Sequence, residues 1–144
     1  MKRSVIVEAD GGMLGCVVAG ANVHDTKLLA ATIEAIVVER PEPTPDAPQH
    51  LCLDKGYDNP TGHAAAEEHG YTPHIRRIGE EKLDPKGRRT YPARRWVVER
   101  TLGWLSKCRS ILVRYAKKAC NYLGLIKIAC SLLWYRRLHR LKPF

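Results

Sequence analysis

Asp54 and Glu99 are the residues whose types and settings best suit chemistry. Asp54 closes a short apolar run, Leu51-Cys52-Leu53, and leads into Lys55-Gly56-Tyr57-Asp58. Glu99 is the lone acid in Arg95-Trp96-Val97-Val98-Glu99-Arg100-Thr101, a basic and apolar segment. Two carboxylates can hold divalent metal beside a phosphodiester while basic neighbours hold the phosphates. Phosphodiester transfer needs a nucleophilic oxygen activated and a leaving oxygen stabilised. Two Mg²⁺ ions about 3.5–4 Å apart can do both. Mg²⁺ takes hard oxygen ligands and keeps several waters, so two or three carboxylates suffice. An acid at the carboxyl end of a strand projects where ligands bind in α/β sheets. A helix packed across the sheet would bring Glu99 to the same spot.

Each residue also has a plainer explanation. Asp54 could simply start a turn before Gly56. Glu99 lies four residues after Arg95, so the two suit an ion pair on one helical face. Exposed pairs of that kind contribute only about 0.5 kcal/mol. Arg95 could equally touch a phosphate or steer Glu99. Lys55, Arg94, Arg95, Arg100, Lys107 and Arg109 are the candidate phosphate contacts. Tyr91, Trp96 and Trp104 could stack on unpaired bases. At helical spacing with Val97, Leu105 and Leu112, however, the two tryptophans are expected in the core. His24-Asp25 resembles a general-base dyad, but a loop histidine beside a helix start is expected to be structural.

The charge is unevenly spread. Residues 1–70 hold 5 Lys/Arg against 11 Asp/Glu, and residues 71–144 hold 19 against 4, within a formal net charge of +9. Such asymmetry points to a polyanionic partner contacted mainly by the second half. The five cysteines, Cys16, Cys52, Cys108, Cys120 and Cys130, form no C-x-x-C pair, which argues against a zinc site. Their apolar settings predict reduced, buried thiols in a cytoplasmic protein. No signal peptide or membrane-length apolar run is visible.

The expected elements follow from periodicity and punctuation. Strands are expected over 4–8 and 14–19, joined at Asp10-Gly11-Gly12. A helix with Asp25 as N-cap should run to about Glu39. The prolines of 40–49 make an exposed loop. A short buried strand over 50–54, an alanine-rich helix over 61–69 closed by Gly70, and a strand over 71–75 come next. Residues 76–90 are polar, basic and loop-like. Pro92 suits the first turn of a helix running to about Ala116, and a final helix covers 122–138. This is an α/β chain: one domain over 1–144, a mixed sheet flanked by helices, with a basic helical part over 91–140.

Three stretches carry a resemblance: Gly20-Ala21-Asn22-Val23-His24-Asp25, then Leu53-Asp54-Lys55-Gly56-Tyr57-Asp58, then the run from Arg95 to Leu105. Together, in this order, they resemble the DDE transposases of bacterial insertion sequences, of the family four and five type. The resemblance implies an RNase H-like core that binds two Mg²⁺ or Mn²⁺ ions through Asp, Asp and Glu. Such a core cleaves double-stranded DNA and joins transposon ends to target. It places the second Asp on Asp54 and the Glu on Glu99. Of the family's Tyr-Arg-Glu-Lys signature, Arg95 and Glu99 match in spacing, while Tyr91 and Lys107 each lie one residue off.

In the family the first Asp sits on a strand before the hairpin, and this chain starts at the hairpin. Asp10 is no substitute, because an Asp-Gly-Gly turn already explains it. The chain therefore resembles the carboxyl-terminal part of a transposase, lacking the first core strand. It would be inactive alone and need an upstream-frame polypeptide or a full-length transposase as partner. The alternative is a DNA-binding remnant or regulator without catalysis. Either would work in the bacterial cytoplasm, at the nucleoid, and not in a membrane.

Overall fold

The computed structural model describes residues 1–75 and 95–141. Strands β1 (Lys2–Val7) and β2 (Met13–Ala19) form an antiparallel hairpin, with Lys2 opposite Ala19 and Val5 opposite Cys16. The register slips between Ile6 and Val7. At the turn, Glu8 N–H bonds to the Gly12 carbonyl and Gly11 N–H to the Glu8 carbonyl, both at 2.9 Å. Gly11 has φ +89°, a conformation that strongly favours glycine.

Helix α1 (Asp25–Glu34) buries Leu28, Leu29, Thr32 and Ile33. His24, not Asp25, is its N-cap: the ring Nδ1 accepts the Thr26 N–H and bonds the Thr26 hydroxyl at 2.8 Å. Asp25 sits in the first turn, where its charge suits the helix dipole. The helix stops five residues short of Glu39 for a tertiary reason. The chain turns so that Val37 N–H bonds the Leu14 carbonyl (3.2 Å), and the Ala35 backbone lies against Gly15, where a Cβ would meet it at 2.9 Å. That contact with β2 replaces further helix.

The proline segment is exposed but tied down. Gln49 Nε2 donates to the Pro41 carbonyl at 2.6 Å, and Arg40 donates to the His69 carbonyl while lying 4.0 Å over the Tyr71 ring. Strands β3 (Gln49–Leu53) and β4 (Tyr71–Ile75) are parallel, with Gln49 opposite Tyr71 and Leu53 opposite Ile75. Parallel strands need a crossover. Here it is a 3-10 turn over Lys55–Tyr57 followed by α2 (Pro60–Glu68). Asn59 caps α2 through Gly62 N–H (2.9 Å), Pro60 fills the first turn, and Gly70 at φ +75° ends the unit.

Among the described residues the strands form two separate two-stranded sheets, rather than the single mixed sheet expected. One apolar cluster ties them together: Ile6 of β1, Leu29 and Ile33 of α1, Leu51 of β3, and Ala65 and Ala66 of α2. A second cluster covers the other face of the hairpin. There Met13 and Cys16 meet Leu105, Ile111, Tyr122, Ile126 and Cys130.

The carboxyl-terminal region departs most from expectation. The long helix is broken into α3 (Arg95–Ser106) and a single-turn α4 (Arg109–Leu112), followed after six residues by α5 (Ala119–Leu141). No proline or glycine marks either break. The breaks let Ile111 bury at 2% exposure and let the Tyr122 hydroxyl donate to the Ile111 carbonyl at 2.8 Å. Arg114 closes the second bend by donating to the Ala116 and Lys117 carbonyls. Trp96, expected in the core, is 54% exposed, and Trp104 is half-buried against the second cluster.

The thiols also divide. Cys16 and Cys130 are buried, and burial pushes them up to about 11 and about 12, so they stay protonated. Cys52 and Cys120 are exposed, against the expectation of buried thiols, because Cys52 points away from the apolar face of β3. An alkylating reagent at mildly alkaline pH should therefore modify Cys52 and Cys120 first, with Cys16 and Cys130 reacting only on unfolding; peptide mass mapping reads this directly. Tyr122→Phe should cost about 1–2 kcal/mol in urea unfolding, since it leaves the buried Ile111 carbonyl unpaired.

Candidate active site

Asp54 follows β3 and caps the 3-10 turn. Its Oδ1 accepts the Lys55 N–H at 2.7 Å, and its carbonyl accepts the Tyr57 N–H at 2.9 Å. The residue stands at the carboxyl end of its strand, as the sequence predicted, and its side chain is exposed. The acid is thus both a turn former and a group presented to solvent. Tyr57 connects this end of the fold to α1. Burial raises its pKa, and the negative charges of Asp25 and Asp54 raise it further. Asp25 is balanced by Lys2, whose ammonium lies 3.0 Å away.

Glu99 is exposed on α3. That helix is held against the hairpin turn by Thr101, whose buried hydroxyl donates to the Gly11 carbonyl (2.7 Å), and by Arg100, which donates to the Asp10 carbonyl. Among the described residues, no group of three or more His, Cys, Asp or Glu converges to hold a metal ion. The donor chemistry of Asp54 and Glu99 suits a hard divalent cation, but the described residues do not make up a full ligand set.

The candidate phosphate contacts are scattered. Lys55 begins the 3-10 turn beside Asp54, and Arg109 begins α4; both are exposed. Arg100 lies on α3 with Trp96 one turn before it, and Lys107 follows the end of that helix; both basic residues are exposed. The Arg100 guanidinium stands 4.8 Å from the Trp96 ring centre, forming a basic and aromatic stripe. Arg94, Tyr91 and the 76–90 loop lie outside the described residues, as does the side chain of Arg95.

The residue that sequence reading missed is Glu8. Its carboxylate accepts the N–H groups of Asp10 (2.9 Å) and Gly12 (2.8 Å) and meets Arg137 of α5 at 2.6 Å. Arg137 also donates to the Asp10 carbonyl, and Trp134 Nε1 donates to the Met13 carbonyl at 2.9 Å. Burial alone would raise the Glu8 pKa. The bonds from Asp10, Arg137 and Gly12 outweigh it and hold the carboxyl below its ordinary value. A Glu before Asp-Gly-Gly hints at a turn, but nothing local points to an arginine 129 positions away.

Comparison with known proteins assigns the class. Residues 1–134 match the family model described as the transposase DDE domain, and the chain belongs to that family. It is also 30% identical over 142 residues to a candidate transposase of insertion sequence element IS402 from Burkholderia cepacia. That alignment covers 96% of this chain and 64% of the relative, so the chain spans just under two thirds of that protein's length. No solved structure matches. Among the described residues no helix is long and apolar enough to cross a membrane.

The depressed Glu8 pKa has a defined sign. The folded state favours the carboxylate, so the stabilisation is complete above the ordinary value of 4.5 and fades as pH falls through the lower folded value. Glu8→Gln should melt below the wild type at pH 7, and the gap between the two melting curves should close on acidification.

Proposed function

We propose that this chain forms the catalytic part of a DNA transposase, which cuts DNA and joins the cut strands as an insertion sequence moves. Membership of the transposase DDE family carries the reading. The position of Asp54 at the carboxyl end of a parallel strand pair supports it. Domains of this family generally use divalent metal ions. Asp54 and Glu99 would hold Mg²⁺ or Mn²⁺ ions here, with a third carboxylate from outside the described residues. The ions would activate the attacking oxygen and stabilise the leaving one. Lys55, next to Asp54, offers an ammonium to the phosphate being cut, while Arg100, Lys107 and Arg109 hold the DNA backbone. Double-stranded transposon ends and target DNA are the substrates, met at the nucleoid.

The fold proposed for the complete core is RNase H-like. Sheets β1–β2 and β3–β4 share one apolar cluster yet are not hydrogen-bonded to each other. One strand between β1 and β3 would satisfy both outer edges and make a single five-stranded mixed sheet. An aspartate on such a strand would lie beside Asp54.

A second reading is a DNA-binding regulator without catalysis. The charge of the second half, 19 Lys/Arg against 4 Asp/Glu over residues 71–144, favours it. Strand transfer on duplex DNA separates the two. The chain joined to a strand that supplies a third carboxylate should be active with Mg²⁺ and silent in chelator, and Asp54→Ala or Glu99→Ala should each lower the rate by roughly a thousandfold or more, in the range seen when a charge-stabilising catalytic group is lost. Activity retained in either variant rejects the assignment. A completed chain that binds DNA but never joins it favours the regulator.

A further inference from the structure

A cleft of about 320 Å³ opens where the hairpin turn, α3 and α5 meet. Arg100, Arg136, Arg137 and Arg140 line it, with Trp104 as an aromatic wall and Asp10 as the one acid among its described lining residues. The four arginines do not have the same task. Arg137 is neutralised by Glu8, and Arg100 is bent onto the Asp10 carbonyl. Arg136 and Arg140 are exposed, and neither makes a hydrogen bond or ion pair with another described residue. Being four residues apart, they stand one above the other on the same helical face, roughly 6 Å apart along the axis. That is close to the separation of neighbouring phosphates on one DNA strand.

We infer that this cleft is a second DNA-backbone anchor, in which Arg136 and Arg140 grip successive phosphates of one strand and Arg100 closes the opposite wall. The inference rests on the reading of the chain as a DNA transposase and adds a site remote in sequence from the carboxylates. The helix dipole alone explains one cation in the last turn of α5. It does not explain three guanidiniums from two helices converging on one opening. A planar guanidinium pairs with phosphate through two parallel N–H bonds, and each keeps donors to spare. Asp10 offsets one of these charges, and with Arg100, Arg136, Arg137 and Arg140 the opening stays net basic, which suits an extended polyanion that can meet several guanidiniums at once. The clasp made by Glu8 and Arg137 holds the two walls at a fixed spacing, so the ligand meets a site already assembled.

The test uses the whole chain and a fluorescent DNA duplex of arbitrary sequence, with anisotropy titrations across a series of KCl concentrations. Arg136→Gln with Arg140→Gln should flatten the log Kd against log salt plot by about two units and weaken binding roughly 10- to 100-fold at low salt. Arg136→Lys with Arg140→Lys should restore the slope, because the phosphate charges are again neutralised. Since both side chains are exposed and unbonded, all three proteins should melt alike. A glutamine variant that binds with the wild-type slope, while the wild type binds well, overturns the anchor and leaves the transposase reading intact. A lysine variant that fails to restore the slope also overturns it. A wild-type chain with no affinity for DNA overturns the anchor together with DNA binding by this chain alone.

Discussion

One carboxylate organises the far end of this molecule. Glu8 bonds two N–H groups of its own turn and the guanidinium of Arg137, and the turn it shapes offers its carbonyls to α3 and α5. Asp10 contributes through its backbone, where two arginines from different helices converge on one oxygen. A turn that would otherwise be an exposed loop is therefore the fixture against which both helices are set. The close fit leaves no room for a side chain. A Cβ on Gly12 would lie 2.2 Å from the Trp134 ring, and one on Gly11 would lie 3.0 Å from both Arg100 and Thr101. Because α3 carries Glu99, the placement of a candidate metal ligand depends on this turn.

Charge is distributed to the same end. The amino-terminal half is acidic and the carboxyl-terminal half strongly basic. Folding lets some of those opposite charges meet, as Glu8 meets Arg137, and so relieves part of the self-repulsion of the basic half. Among the described residues, Lys107, Arg109, Arg136 and Arg140 are exposed. Exposed guanidiniums beside an ordered turn are what the proposed contact with a polyanion would need, and the chain's membership of the transposase DDE family fits that proposal.

Much of the fold was readable along the chain. The hairpin, the strand ending at Asp54, the alanine-rich crossover helix and the strand after Gly70 all follow from local patterns with clear stop signals. Gly11 and Gly70 adopt the positive φ values that their positions suggested. The errors arose where a distant contact decided the outcome. Helix α1 stops early because β2 takes up its backbone. The helix expected to run to about Ala116 breaks after Ser106 without proline or glycine because Ile111 and Tyr122 bury together. Trp96 looked apolar and helical, yet it lies outside beside Arg100, since periodicity fixes a stripe but not which stripe faces the core.

By itself the sequence determined the family, the α/β class, the acid at the end of β3 and the polarity of charge, because each rests on residue types at short spacing. The tertiary structure alone decided that Glu8 holds Arg137, that Arg100, Arg136 and Arg140 share one cleft, and that the strands stand as two sheets on one core. Those outcomes join residues 36 to 129 positions apart or depend on which strand edges meet. No local pattern encodes such pairings, since only the packed chain brings the groups within bonding distance.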